Sequence, residues 1–219
     1  MNRIVKFFSA EGLPISFIIF YAFGLLLYFM PLTHELFIRV TPYTLLFVAV
    51  AIFSHHTAWN IKTIAVFVSI FILSMLIEIL GVATGQLFGV YEYGKGLGIK
   101  IANVPMVIGL NWVFLTYASN SIISKYTSKN ISIIVGAALL MVVYDIMLEK
   151  VAPLMQMWQF SENDPPLRNY MVWFLLALCF NAAIQFFKID TRNRPARWLF
   201  CIQFVFFVII VLQNTIIKK

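Results

Sequence analysis

The sequence predicts an all-α, polytopic membrane helix bundle of about seven transmembrane helices, and two observations carry that prediction. The chain is 62% hydrophobic and 11% charged with a mean hydropathy of +0.90, which leaves too little polar surface to wrap a water-soluble globule of 219 residues. Several apolar runs also approach the ~20 residues a helix needs to cross a hydrocarbon core, whereas barrel strands would be about half as long and alternating.

The first run, Pro14 to Leu32, follows Arg3 and Lys6. It is long enough to span, and no small-residue cleavage site follows it, so it reads as a retained helix and not a secretory signal. Pro42 to His55 is the shortest span. Ile61 to Val82 ends in an acid and a string of small residues. Val104 to Ile122, Ile131 to Val151, Asn169 to Phe187 and Trp198 to Ile216 complete the set. No linker separates a second core and no internal repeat is evident, so residues 1–219 read as one integral-membrane domain. Two connectors are longer than the others, Gly85 to Asn103 and Ala152 to Arg168, and with this helix count both lie on the same side. They are the connectors richest in Gly, Pro, Tyr and Trp, which bend backbone and seat amphipathic rings at an interface.

The net charge of +7 is read by side, because Lys and Arg near span ends orient a bundle. One side holds nine: Arg3, Lys6, Lys62, Lys125, Lys129, Lys188, Arg192, Arg194 and Arg197. The other holds seven: Arg39, Lys95, Lys100, Lys150, Arg168, Lys218 and Lys219. The balance favours an amino terminus on the cytoplasmic side of the cytoplasmic membrane. These charges flank apolar spans in short connectors and form no basic domain, which argues against a nucleic-acid partner.

Cys179 and Cys201 fall inside spans, so the expectation is buried apolar positions and no disulfide framework. His55 and His56 are adjacent, which on a helix points them about 100° apart and suits no single ion. No metal site is expected.

Acids inside a membrane are costly and are therefore candidates for function. Glu78 lies about one turn of ~3.6 residues before the end of the third span. Asp145 and Glu149, in "YDIMLEK", are spaced i, i+4 near the corresponding end of the fifth span, so both carboxyls share a face. The third and fifth spans run in the same direction, and the fourth returns with Asn111 and Trp112 at a similar depth. Glu149 also stands next to Lys150, which leaves an interfacial ion pair as its alternative role; Asn111 and Trp112 equally suit helix packing.

Desolvation disfavours a charged carboxylate, so a carboxyl in an apolar slot can hold its proton and act as a general acid. Trp and Tyr faces around it would stabilise a cation. This combination points to protonation of an alkene. There is no GxGxxG after a strand, no phosphate loop and no histidine array, so no cofactor is implied.

The pattern "EILGVATGQLFGVYEYGKGLG…NVPMVIGLNW", then "YDIMLEK…W", then "PLRNYMVW", resembles the carotenoid biosynthesis membrane-protein family that includes the carotenoid 1,2-hydratases and bisanhydrobacterioruberin hydratase. The matching positions are Glu78, Gly81, Thr84, Gly85, Phe88, Gly89, Tyr91 and Tyr93, then Val104, Pro105 and Trp112, then Asp145, then Pro166, Asn169 and Trp173. The resemblance covers roughly Glu78 to Trp173. The chain departs from the family pattern at Tyr144, where Trp is common, at Glu149-Lys150, where Asp-Pro is usual, at Phe160, which replaces a second Trp after Trp158, and at Val172, where a small residue is expected.

The resemblance implies hydration of a terminal isoprenoid double bond in a forty- or fifty-carbon carotenoid. Glu78 or Asp145 would be the acid and the other carboxylate the base, with Glu149 as a third catalytic candidate. Tyr91, Tyr93, Asn111, Trp112, Trp158, Asn169 and Trp173 would line the substrate slot, and Thr84 would bind substrate or shape the connector. The partners implied are a hydrophobic carotenoid drawn from the bilayer, membrane lipid and other enzymes of the carotenoid pathway. Three rivals stay open: a lycopene-type cyclase, which also begins by protonating an isoprenoid alkene; a non-enzymatic carotenoid or lipid binder; and a transporter using Glu78 and Asp145 as a proton relay. A retinal-binding bundle is disfavoured, because the last span contains no lysine for a Schiff base.

Overall fold

The computed structural model describes residues 11–162 and 164–217; Arg3, Lys6, Lys218 and Lys219, which enter the charge count, lie outside them. Among the described residues the chain forms seven helices: α1 (Leu13–Phe29), α2 (His34–Phe53), α3 (Ile61–Thr84), α4 (Val107–Ile123), α5 (Asn130–Val151), α6 (Leu167–Phe186) and α7 (Arg194–Ile217). Four short strands interrupt them: β1 (Tyr91–Tyr93), β2 (Lys100–Ile101), β3 (Val104–Pro105) and β4 (Trp158–Phe160). Five helices, α2, α3, α5, α6 and α7, are long and apolar enough to cross a membrane. The 17-residue α1 and α4 stand at the short end of the spanning range of roughly 17 to 25. Ile18, Leu26, Val50, Ile72, Leu139 and Leu175 are all exposed on the outer surface. Apolar surface on that scale is at home only in lipid, and the chain is a multi-pass membrane protein.

Four spans differ from the sequence expectation by three residues or more: the first ends at Phe29, not Leu32, the seventh starts at Arg194, not Trp198, and the second and fourth differ at their starts. The second helix starts at His34, not Pro42, and Pro42 lies inside it. A proline costs the helix one N–H bond to the preceding turn, but its ring here packs against Gly98 of the first connector, and the helix continues on both sides. The fourth helix starts at Val107, because Val104 and Pro105 pair with Lys100 and Ile101 as a small antiparallel ladder.

The central helix is α4, which packs on α2, α3, α5, α6 and α7. Its residues from Trp112 to Ser121 are buried without a break. The polar ones within this run are held by neighbours. Asn120 Nδ2 donates to Asn181 Oδ1 (3.1 Å), while Asn120 Oδ1 accepts from Gln185 Nε2 (3.0 Å) and Thr191 Oγ1 (3.1 Å). Such interhelical bonds contribute on the order of 0.6 kcal/mol each in a membrane. They pin the end of α4 remote from Asn111 and Trp112, so those two residues are presented from a fixed axis.

Cys179 and Cys201, expected in buried positions, are exposed. The lipid face of this bundle is as apolar as its core, so a small apolar thiol is stable on either side. His56 Nδ1 is hydrogen-bonded to the Tyr117 hydroxyl (2.9 Å) and His55 Nδ1 to the Ala51 carbonyl (2.8 Å), so the two rings point to different partners.

The two long connectors are on one side, as expected, and they pair. β1 and β4 are antiparallel, with Tyr91 opposite Phe160, Glu92 opposite Gln159 and Tyr93 opposite Trp158. The pairing continues as Gly94 N–H donates to Met157 O and Gly96 N–H to Gln156 O, both at 2.8 Å. Gly94 and Gly96 are required by this crossing: a Cβ on either would collide with the Gln156 or Met155 carbonyl oxygen. Lys95 Nζ also bonds Glu35 Oε1 at 3.0 Å, which fastens the first connector to the start of α2.

Candidate functional site

The site forms where α3 ends under the paired connectors. Gly85 closes α3 in the left-handed conformation (φ 64°), and Arg168 at the start of α6 donates to its carbonyl at 2.9 Å. The chain then doubles back, so β1 lies over the last turns of α3. Strand alternation decides which side chains reach inward. Tyr91 and Tyr93 of β1, and Trp158 and Phe160 of β4, are buried, while Glu92 and Gln159 face out.

Glu78 is 4% exposed and accepts three hydrogen bonds. Tyr91 and Tyr93 hydroxyls donate to its Oε2 at 2.6 and 2.9 Å, and the Trp112 indole N–H donates to its Oε1 at 3.3 Å. Burial pushes the Tyr91 and Tyr93 phenols well above their ordinary value of 10, and the neighbouring Glu78 carboxyl adds to the shift. Both phenols are therefore donors throughout the neutral range.

Glu149 comes from α5 on the facing side. Its Oε2 accepts from the Trp158 indole N–H at 2.8 Å and its Oε1 from Asn169 Nδ2 at 3.2 Å. The same Asn169 amide donates to Asp145 Oδ2 at 3.2 Å, so one side-chain amide spans two carboxyls. Asp145 is fully buried, and its Oδ1 has no hydrogen-bond partner. The ion pairs among the described residues are Lys95 with Glu35 and Arg192 with Asp190; no cation reaches any of the three site acids. In particular, Glu149 does not pair with Lys150. No group of three His, Cys, Asp or Glu among the described residues is arranged to hold a metal ion.

Nine of the sequence candidates line one slot: Glu78, Tyr91, Tyr93, Asn111, Trp112, Glu149, Trp158, Asn169 and Trp173. Trp112 and Trp173 stack at 4.0 Å between ring centroids and form a flat aromatic wall. The free space at the centre is about 20 Å³, room for one water. Two candidates stand elsewhere. Asp145 lies behind the slot wall and meets it through Asn169. Thr84 is exposed, with its hydroxyl donating to Leu80 O at 2.7 Å and accepting from Gln86 N–H at 3.3 Å, so it shapes the helix end.

Sequence reasoning missed Phe88, Ile108, Leu148 and Phe160 as slot residues. The signal for Phe160 was present: "YEY" and "WQF" share an aromatic, polar, aromatic alternation, which is a strand period. Phe88 stands among the positions that carry the family resemblance, whereas Ile108 and Leu148 had no signal distinguishing them from ordinary core.

This geometry defines a polytopic membrane protein with carboxyls gathered in an aromatic slot near one membrane surface. The chain belongs to the carotenoid biosynthesis protein family, whose model matches residues 39–218, well beyond the motif region of Glu78 to Trp173. No curated protein and no solved structure matches the chain.

Proposed function

We propose that this protein is a carotenoid hydratase, a cofactor-independent hydro-lyase that adds water across a terminal isoprenoid double bond of a forty- or fifty-carbon carotenoid. The observation that carries this reading is the pair of slot-facing carboxyls, Glu78 and Glu149, held by different donors around space for one water. Two carboxyls in different environments can divide acid and base roles.

The three donors on Glu78 stabilise its carboxylate form, which suits a group that receives a proton. Glu149 and Asp145 share one amide, and two adjacent carboxyls without a cation retain a proton between them. Glu149 gives that proton to the less substituted alkene carbon, leaving a tertiary carbocation on the other. The Trp112 and Trp173 faces stabilise the cation. Water donates a lone pair to it, and Glu78 takes the surplus proton, giving a tertiary alcohol. Alkene plus water thus balances with the alcohol, and the catalyst is reset when the proton returns to Glu149. A wide outer cleft with Lys150, Asp164 and Tyr170 on its wall also reaches Glu149, which supports water access for that return. The sequence paired Glu78 with Asp145; in this mechanism Glu149 takes the slot-facing role and Asp145 positions it.

The distribution of Lys and Arg supports an amino terminus in the cytoplasm, with the slot toward the opposite face of the cytoplasmic membrane. The separate purified variants Glu78→Gln and Glu149→Gln test the mechanism. Each is expected to slow water addition by about a hundredfold, the scale of general acid or base catalysis. Full activity in both would overturn it.

A further inference from the structure

The slot is not isolated. It shares Ile108, Asn111, Leu148 and Trp158 with a narrow second cavity, and that cavity shares Leu45, Met157, Gln203 and Phe207 with a third. The third cavity is the widest part, about 150 Å³, enclosed by α1, α2, α7 and the chain just before β4. Its lining includes Phe20, Gly24, Phe37, Thr44, Met155 and Phe206. Phe20 and Phe23 are exposed on the lipid side of α1, and the Phe20 ring lies 6.0 Å from Phe47 of α2 across the mouth.

We infer that these three cavities form one bent gallery that holds the hydrocarbon chain of a long linear polyene, entering from the bilayer between α1 and α2 with its end group at Glu149. The lining chemistry selects that occupant. Thr41 and Thr44 hydroxyls donate to Phe37 O (2.9 Å) and Val40 O (3.0 Å) of their own helix, so they offer the cavity no free hydrogen. At the neck, Gln203 Oε1 accepts from the Tyr144 hydroxyl at 2.9 Å. Apart from these groups and the Tyr21 hydroxyl, which is buried without a hydrogen-bond partner, the wall is aromatic and aliphatic, so it favours a hydrocarbon over a lipid headgroup, which would lose several hydrogen bonds on entry. The necks are narrow, but Met155 and Met157 are unbranched and readily change shape to admit a chain. The identity of the end group at Glu149 rests on the hydratase reading; the gallery itself is tested by binding alone.

The test uses the full chain in lipid nanodiscs with lycopene as probe, and follows quenching of tryptophan fluorescence. Gly24→Phe and Thr44→Phe each place a ring in the outer cavity from opposite walls, and a Cβ at Gly24 has only ordinary 3.6 Å contacts with Phe37 and Phe206, so entry of the ring does not begin with a clash. Leu139→Phe, on the lipid face of α5, is the control. Each variant is first checked for an unchanged unfolding temperature. Both plugs are expected to weaken lycopene binding about tenfold or more while the control leaves it unchanged. Lycopene affinity equal to the parent's in a folded plug variant overturns the gallery. Binding blocked by the plugs, together with full turnover in Glu78→Gln and Glu149→Gln, supports the gallery and discards the hydratase mechanism.

Discussion

The Tyr91 hydroxyl donates a 2.6 Å hydrogen bond to Glu78 Oε2, which ties the first connector to the end of α3. Tyr93 meets the same oxygen at 2.9 Å, so one carboxyl oxygen organises the whole of β1. Hydrogen bonds to a charged group contribute about 1.5 to 3 kcal/mol. Tyr91→Phe and Tyr93→Phe are each expected to lower kcat about tenfold. The double variant should fall short of the product of the two losses, because both act through one oxygen. Independent, multiplicative losses in steady-state rates would contradict the shared role.

The same phenols set an alkaline limit. Burial raises both above their ordinary value of 10 in the folded protein. A group whose folded value is raised contributes stability that is full below the unfolded value and is lost as pH rises past it. The phenols' contribution to the unfolding temperature should therefore be constant through neutral pH and decline above about 10, the unfolded phenol value. The decline should be shallower in the Tyr91→Phe, Tyr93→Phe double variant. An equally steep decline in that variant would assign the transition to other groups.

Gly96 lies where the two connectors cross, with its Cβ position occupied by the Met155 carbonyl oxygen. Backbone cannot rotate away as a side chain can, so Gly96→Ala is expected to cost about 1 to 3 kcal/mol, the range for overpacking. Denaturation monitored by tryptophan fluorescence checks this. An alanine variant as stable as the parent would show that the crossing can open freely.

Much of this organisation was legible in the sequence, but not uniformly. Run lengths gave the helices, and chain direction brought Glu78, Glu149, Asn111 and Trp112 to one level, because depth follows from counting residues. Facing was harder. These helices are apolar nearly all round, so lipid-facing and core-facing positions read alike, and Cys179 and Cys201 were placed inward. The depth of Asp145 behind Asn169 was hidden for the same reason, since i, i+4 spacing fixes a shared face and not which carboxyl reaches a cavity. Pairing of β1 with β4 is non-local and depends on two connectors meeting over the bundle. Only the alternation in "YEY" and "WQF" hinted at it. Glu149 next to Lys150 suggested an ion pair, yet neighbours in a helix diverge by about 100°.

Asp145 shares the Asn169 amide with Glu149 and does not line the slot, so its removal should act on chemistry and not on substrate capture. Asp145→Asn is expected to lower kcat about tenfold with KM unchanged, and to shift the pH profile of kcat, since the carboxyl that shares Asn169 with Glu149 is gone. A rise in KM at constant kcat would instead place Asp145 in contact with substrate.

The most direct test of the central claim is the mass of the pigment made when a lycopene-producing host expresses this chain, separated by chromatography and read by mass spectrometry. Hydration predicts a product heavier by one water for each modified end, lost when Glu149 is replaced by Gln. A new pigment of unchanged mass would contradict hydration and show that the cation closes on its own chain before water reaches it.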